Sequence, residues 1–218
     1  MLCTSELFDL SHSLAGSYLA GFSQPWQALA GIRELILTLG PGLGEDYTEV
    51  SPQVWVHRTA TVAPTAYLGA PCIIGAGTEI RHCAFIRGSA LVGENCVVGN
   101  SVELKNVILF DNVQVPHFNY VGDSILGYKS HMGAGSVTSN VKSDQTTVVV
   151  KDGDTQYPTG LKKFGAMLGD FVEVGCNSVL NPGTIVGRHS NIYPTSCVRG
   201  VVPADSIWKT GGIVVRKK

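Results

Sequence analysis

IRHCAFIRGSALVGENCVVGNSVEL, residues 80–104, places an aliphatic side chain at every sixth position: Ile80, Ile86, Val92, Val98 and Leu104. The series extends backwards through Ile74, Leu68, Val62 and Val56. A half-buried strand in an ordinary sheet alternates with a period of two. A period of six therefore requires short strands joined by turns, three to a coil. Each rung then stacks on its equivalent one coil away, and each coil buries its apolar side only against its neighbours, as in a β-solenoid. Ala60, Ala66, Ala84 and Ala90, with Cys72 and Cys96, fill a small-residue slot two places before the rungs. There the cysteines act as small apolar fillers. Glycines directly after rungs, as in Leu68-Gly69, Ile74-Gly75, Val92-Gly93 and Val98-Gly99, are expected to bend the backbone sharply.

The ladder falters after Leu104. Its next two slots hold Phe110 and Pro116, and His117-Phe118-Asn119-Tyr120-Val121-Gly122-Asp123 follows at once. The pattern restarts at Leu126 and Met132, breaks off, and returns as Leu168, Val174, Leu180, Val186, Ile192 and Val198. The polar, titratable stretch from Leu104 to Asn140, set into an apolar ladder, is where chemistry is expected.

Three segments flank or interrupt the ladder. Residues 1–52 are read as helical: Leu10 and Leu14, then Ala28, Ile32, Leu35, Ile36 and Leu39, follow helical spacing. Ser23 is expected to cap the second helix, Pro25 to fit its first turn and Gly40-Pro41-Gly42 to end it, with a linker through Ser51-Pro52. The apolar faces would pack on the solenoid or offer a helix pair to a partner. Inside the solenoid, 53–203, an insertion at about 141–165 carries the β-prone run Thr146–Val150 and the turn dipeptide Asp152-Gly153, which suit a hairpin. Insertions in solenoids often mark the binding face, although a plain surface loop fits as well. Residues 204–218 are read as a tail ending in the solvated, basic Arg216-Lys217-Lys218.

Composition narrows the classes of function. The chain of 218 residues is 44% hydrophobic and 15% charged with 26 glycines, which suits a folded protein rich in tight turns. A net charge of -1 gives no basic footprint for nucleic acid. No apolar run reaches the roughly 18 residues that suggest a membrane span, and no secretory signal pattern opens the chain. Six cysteines without a Cys-x-x-Cys pair read as reduced thiols, and the protein as cytoplasmic.

Over about residues 54–203 the ladder resembles the hexapeptide-repeat acyltransferases, above all the acetyltransferase domain of bifunctional N-acetylglucosamine-1-phosphate uridyltransferases. Arg87, Val102-Glu103-Leu104-Lys105, the run from His117 to Asp123, and the run from Gly133 to Asn140 match that family's site segments in order and at compatible spacing. The resemblance implies an all-β, left-handed parallel β-helix; the left hand rests on it alone, since most parallel crossovers are right-handed. It implies a homotrimer with acetyl-CoA as co-substrate, bound between neighbouring coils. His117 would be the general base that takes a proton from the glucosamine amine, a task suited to imidazole near neutral pH. Arg87 and Lys105 would hold the sugar phosphate, and Tyr120, His131 and Asn140 the sugar. Ala134, Cys176 and Pro194 would line the CoA groove, and backbone N–H groups of Gly133-Ala134-Gly135 would steady the thioester oxygen. His131 stands where the family has a sugar-binding asparagine, and Val141 replaces the tyrosine that follows Asn140. The family's next lysine is missing near Thr146. The uridyltransferase half is expected to be absent, because Gly40-Pro41-Gly42-Leu43-Gly44 lacks the Thr-Arg that ends its Gly-rich loop.

Plainer readings stand beside these. Histidines in β proteins are more often structural, and His12, His57, His82 and His189 are read so. Lys105 and Arg87 equally suit solvated edge charges that discourage aggregation. A zinc enzyme of the γ-carbonic anhydrase type uses the same solenoid; His82 and His117 would serve it, but Gly122 occupies the place of its third histidine. A non-catalytic β-helix subunit for binding or assembly is the other alternative.

Overall fold

The computed structural model describes residues 3–217, so Lys218 of the basic terminus lies outside it. The ladder folds into a parallel β-helix with three faces. The first face stacks Val54–His57, Cys72–Ile74 and Ala90–Val92, then Ala166–Leu168, Thr184–Val186 and Val201–Val202. The second stacks Tyr67–Leu68 and Phe85–Ile86, then Val137–Thr138, Val179–Leu180 and Cys197–Val198. Between these sets, Glu103–Leu109 and Tyr120–Leu126 run through a corner and serve both faces. The third face runs from Thr61–Val62 through Val97–Asn100, Gln114–His117 and His131–Met132 to Ser206–Lys209. The rungs Ile74, Val92, Leu109, Leu126, Leu168 and Val186 are fully buried. Val62 stays 38% exposed because its strand ends the stack.

The falter after Leu104 is a change of coil length. Cys72 pairs with Ala90, eighteen residues on, but Ala90 pairs with Val107 and Val107 with Ser124, each seventeen on. The corner Arg87-Gly88-Ser89 loses one residue in the two following coils. The rungs are therefore Leu109 and Val115, not Phe110 and Pro116. Phe110, released from the ladder, is fully buried against Phe8, with ring centroids 5.1 Å apart.

The bends also differ from expectation. Left-handed backbone recurs three residues after a rung, at Asn95, Ser101, Asn112, Phe118, Lys129, Gly135, Phe171, Asn177, His189 and Thr195. The glycine directly after a rung instead admits the next coil. A Cβ on Gly75 would lie 2.4 Å from the Gly93 carbonyl oxygen, and one on Gly99 would lie 1.6 Å from that of Pro116.

The middle residues of the first face, Ile73, Leu91, Ile108, Ile125, Met167 and Ile185, are buried as well. The N-terminal segment packs on this face with Leu19, Trp26, Leu29, Ile32 and Ile36. It is not a pair of regular helices: short turns at Thr4–Leu7, Leu10–His12, Gly16–Leu19 and Pro25–Gly31 precede the α-helix Ile32–Leu39. Gln24, rather than Ser23, caps the turn that Pro25 opens, its amide donating to Gln27 Oε1. Tyr47–Ser51, read as linker, is a strand antiparallel to Val54–His57. Buried Asp170 pins the segment: it accepts from the Asp9 amide (2.7 Å) and Arg188 Nη2 (3.0 Å), while Arg188 Nε donates to Leu7 O.

In the insertion, Val149–Asp152 pairs antiparallel with Thr155–Pro158, and Val148 and Val150 are buried. The supposed tail continues the third face as Ser206–Lys209, and Ile213–Arg216 folds back on it antiparallel. Among the described residues no helix is long and apolar enough to cross a membrane. Burial pushes the Cys72 and Cys96 thiols up to about 12, so both stay protonated and inert. If the post-rung glycines exist for close stacking, Gly99→Ala will cost about 1–3 kcal/mol or more in urea unfolding. Gly42→Ala, where a Cβ meets nothing within 4 Å, will not.

Candidate active site

Two polar groups line the two margins of the second face. The first margin is the corner it shares with the third. There the Phe118 amide donates to Asn100 O, Gly135 to His117 O, Asn177 to Ala134 O and Thr195 to Cys176 O, at 2.8–3.0 Å. This repeat places His117, Ala134, Cys176 and Pro194 at the same position of successive coils. His117, Cys176 and Pro194 are exposed and Ala134 half-buried. Buried Asn119 holds the turn below: its Oδ1 accepts from the His117 amide (3.1 Å) and its Nδ2 donates to Gly133 O (2.8 Å). Phe118, with a φ of 53°, leaves its ring 61% exposed beside His117.

The second margin adjoins the first face. Arg87, Lys105 and Gly122 follow one another there on successive coils. Asp123, 4% exposed, organises this edge. Lys105 Nζ donates to both of its oxygens (2.8 and 2.9 Å), and Asn106 Nδ2 and Asn140 Nδ2 donate one bond each. Asn140 Nδ2 also donates to Tyr120 Oη at 3.1 Å. Burial, reinforced by the Asp123 carboxylate, pushes the Tyr120 hydroxyl up, so it stays protonated. Arg87 Nη1 donates to Glu103 Oε1 at 2.8 Å in a solvent-exposed pair.

The structure thus joins Lys105, Tyr120 and Asn140 through Asp123, and aligns His117 with Ala134, Cys176 and Pro194. His131 belongs to neither group. It faces outward from the third face, with Nδ1 2.7 Å from Glu173 Oε2. The amides of Gly133 and Gly135 donate to Val174 O and His117 O, so coil stacking uses two of the N–H groups expected at the thioester. His82 lies on the His117 column two coils away, roughly 10 Å, and hydrogen-bonds Thr65. His12 and His189 stack on Tyr128 and Phe171. Among the described residues no cluster of three His, Cys, Asp or Glu side chains could hold a metal ion. Asn119 and Asp123 organise the two edges, although neither is a rung of the ladder. Asp123 was detectable as a carboxylate one short coil plus one residue beyond Lys105.

Coils of three short strands, stacked in parallel with an aliphatic rung on each face, define a hexapeptide-repeat β-helix. More narrowly, the chain belongs to the family described as the GMPPB C-terminal domain, whose model matches residues 86–202, over half its length. It is 28% identical over 196 residues to a "bifunctional sugar-1-phosphate nucleotidylyltransferase/acetyltransferase" of Sulfurisphaera tokodaii, covering 88% of this chain and 49% of the relative. It is 33% identical over 169 residues to the "bifunctional protein GlmU" of a Nostoc species, covering 78% and 32%. The chain spans half or less of the length of these curated relatives. It is also similar to a hexapeptide transferase family protein from Anaplasma phagocytophilum, at 15% identity and a TM-score of 0.42, covering 75% of this chain and 78% of that one.

Removing the Asp123 carboxylate strands a lysine and two amides on a largely dry edge. Asp123→Ala is expected to lose about 3–5 kcal/mol in denaturant unfolding. A loss below about 1 kcal/mol would show that the edge is held otherwise.

Proposed function

We propose that the protein is an acetyl-CoA-dependent N-acetyltransferase acting on an amino-sugar phosphate such as glucosamine 1-phosphate, or on a related nucleotide-sugar amine. The observation that carries this reading is the His117 column: an exposed imidazole whose line continues into the groove residues Ala134, Cys176 and Pro194. Lys105 and Arg87 lie across the second face from it. Gly122, the neighbour of Lys105 on the next coil, lies five positions after His117, a span of at most about 17 Å.

In this reading the acceptor lies across the second face, with its amine at His117 and its phosphate at the cationic margin. The imidazole takes the proton as the nitrogen lone pair attacks the thioester carbonyl. Collapse of the tetrahedral adduct breaks the carbon–sulfur bond and expels CoA, with no covalent enzyme intermediate. With Gly133 and Gly135 committed to stacking, the Ala134 N–H is the donor left in that turn for the developing oxyanion. Tyr120 and Asn140, already linked to each other, orient the sugar. Arg87 is held only by an exposed pair with Glu103 and can exchange that partner for a phosphate.

The same reading includes a homotrimer. The N-terminal segment and the insertion cover the first face, which leaves the other two for self-association. The second presents Tyr67 and Phe85, both exposed, with ring centroids 5.6 Å apart. A neighbouring coil packed against the His117 margin would close the acyl-donor groove.

One observation favours a non-catalytic binding subunit instead: Lys105 and Arg87 are both already paired with acids of their own chain. Thiol release from acetyl-CoA, measured across a panel of amino sugars and their phosphates, separates the two. Transfer predicts release that His117→Ala slows by roughly 10²–10⁴-fold in kcat/KM. Equal release from both proteins removes His117 as the base, and no release with any acceptor favours the binding subunit. CoA is also expected to shield exposed Cys176 from a maleimide while leaving exposed Cys83 reactive. Equal labelling of Cys176 with and without CoA would place the donor elsewhere.

A further inference from the structure

Where the insertion seats on the coils, Lys142, Asp144, Val149 and Lys151 face Pro182, Arg199 and Gly200 around a cavity of about 280 Å³. Three cations and one carboxylate line it. Asp144 is occupied: Lys142 Nζ stands 3.2 Å from Oδ2, and the amide and hydroxyl of Thr146 donate to Oδ1. These bonds hold its carboxyl down at about 2, so it offsets Lys142 at any working pH. Lys151 and Arg199 then supply the charge that the cavity presents. Arg199 Nη2 donates to Asn181 Oδ1 at 3.3 Å, a neutral partner.

The packing seats the hairpin closely on the coils. Gly183 and Gly200 take φ values of 81° and 79° where the hairpin lands. A Cβ on Gly200 would lie 2.6 Å from Lys151 O, and one on Gly183 would lie 2.7 Å from Val148. Val148 and Val150 anchor the hairpin by burial. Two cations of the insertion and one of a coil corner, around one concavity with a single acid in its lining, match a ligand that carries several negative oxygens.

This cavity is separate from the Lys105 edge. Arg199 follows Arg87, Lys105, Gly122, Ser139 and Asn181 at the same corner position. Four coil steps from Lys105 to Arg199 amount to roughly 19 Å, too far for one phosphate to touch both.

We propose that Lys142, Lys151 and Arg199 form a second anion subsite, built by the insertion, which takes a phosphate or pyrophosphate group of a nucleotide. The group could reach it from the nucleotide end of an acyl donor or from a nucleotide-linked acceptor. Anion binding here does not require chemistry at His117.

Calorimetric titration of the full chain with inorganic pyrophosphate, an adenosine bisphosphate and uridine diphosphate tests the proposal. Saturable binding is expected that weakens with salt. Arg199→Ala and Lys151→Ala should each weaken it about tenfold, and Asp144→Asn should tighten it, with thermal melts of all three variants unchanged. Preference for the adenosine bisphosphate identifies the donor as the source, and preference for uridine diphosphate the acceptor. No saturable binding of any probe, or binding indifferent to Arg199 and Lys151, overturns the subsite.

Discussion

Everything in this protein rests on how closely one coil approaches the next. Parallel strands stack about 4.8 Å apart, and a coil this small can bury its rungs only against its neighbours. The glycines after the rungs permit that approach, since a Cβ at Gly75 or Gly99 would meet the next coil's carbonyl. Left-handed residues three places after most rungs of the first and third faces turn the corners. Once the corners are set, side chains eighteen or seventeen residues apart stand in columns. A functional site can then be assembled from residues that never approach one another in sequence.

The His117 edge and the Asp123 edge are two such columns, and they are built differently. At His117 the side chain is left in solvent while Asn119 fixes the backbone beneath it. At Asp123 the carboxylate is withdrawn from solvent and gathers Lys105, Asn106 and Asn140 around it. Firm backbone with a free side chain suits proton exchange. A dense charged network suits holding a ligand in one orientation.

Much of this was legible beforehand, because a six-residue rung is a one-dimensional signal. Val56 to Leu104 reads off the sequence directly and gives the parallel β-helix. What failed was counting through a change of coil length. Phe110 and Pro116 fall in the counted slots without fitting them, because nothing local marks the residue lost between Arg87-Gly88-Ser89 and Lys105-Asn106. The post-rung glycines were assigned to bending, because sequence does not distinguish a residue that needs positive φ from one that needs an absent Cβ. The N-terminal spacing suggests two helices, but only Ile32–Leu39 carries a regular one with a buried face, while Leu14 of the earlier series stays exposed. Lys105 was identified by its place in a motif. Its partner Asp123 stands one short coil plus one residue further on, so pairing the two requires the shortened coil to be counted.

The N-terminal segment also changes how the chain comes apart. A solenoid whose coils touch only their neighbours is a linear chain of weakly coupled units, able to fray from either end. Here Asp9 is bonded to Asp170, 161 residues away, and Leu7 to Arg188, 181 residues away. The first residues of the chain are thus fastened to its late coils across the covered face, with Phe8 and Phe110 packed between them. That strap converts a stack into a loop of dependencies. Loss of the late coils removes the anchor of the N-terminus, and loss of the N-terminus bares the part of the first face that it covers. Contacts that span the stack in this way couple its early and late coils through one segment.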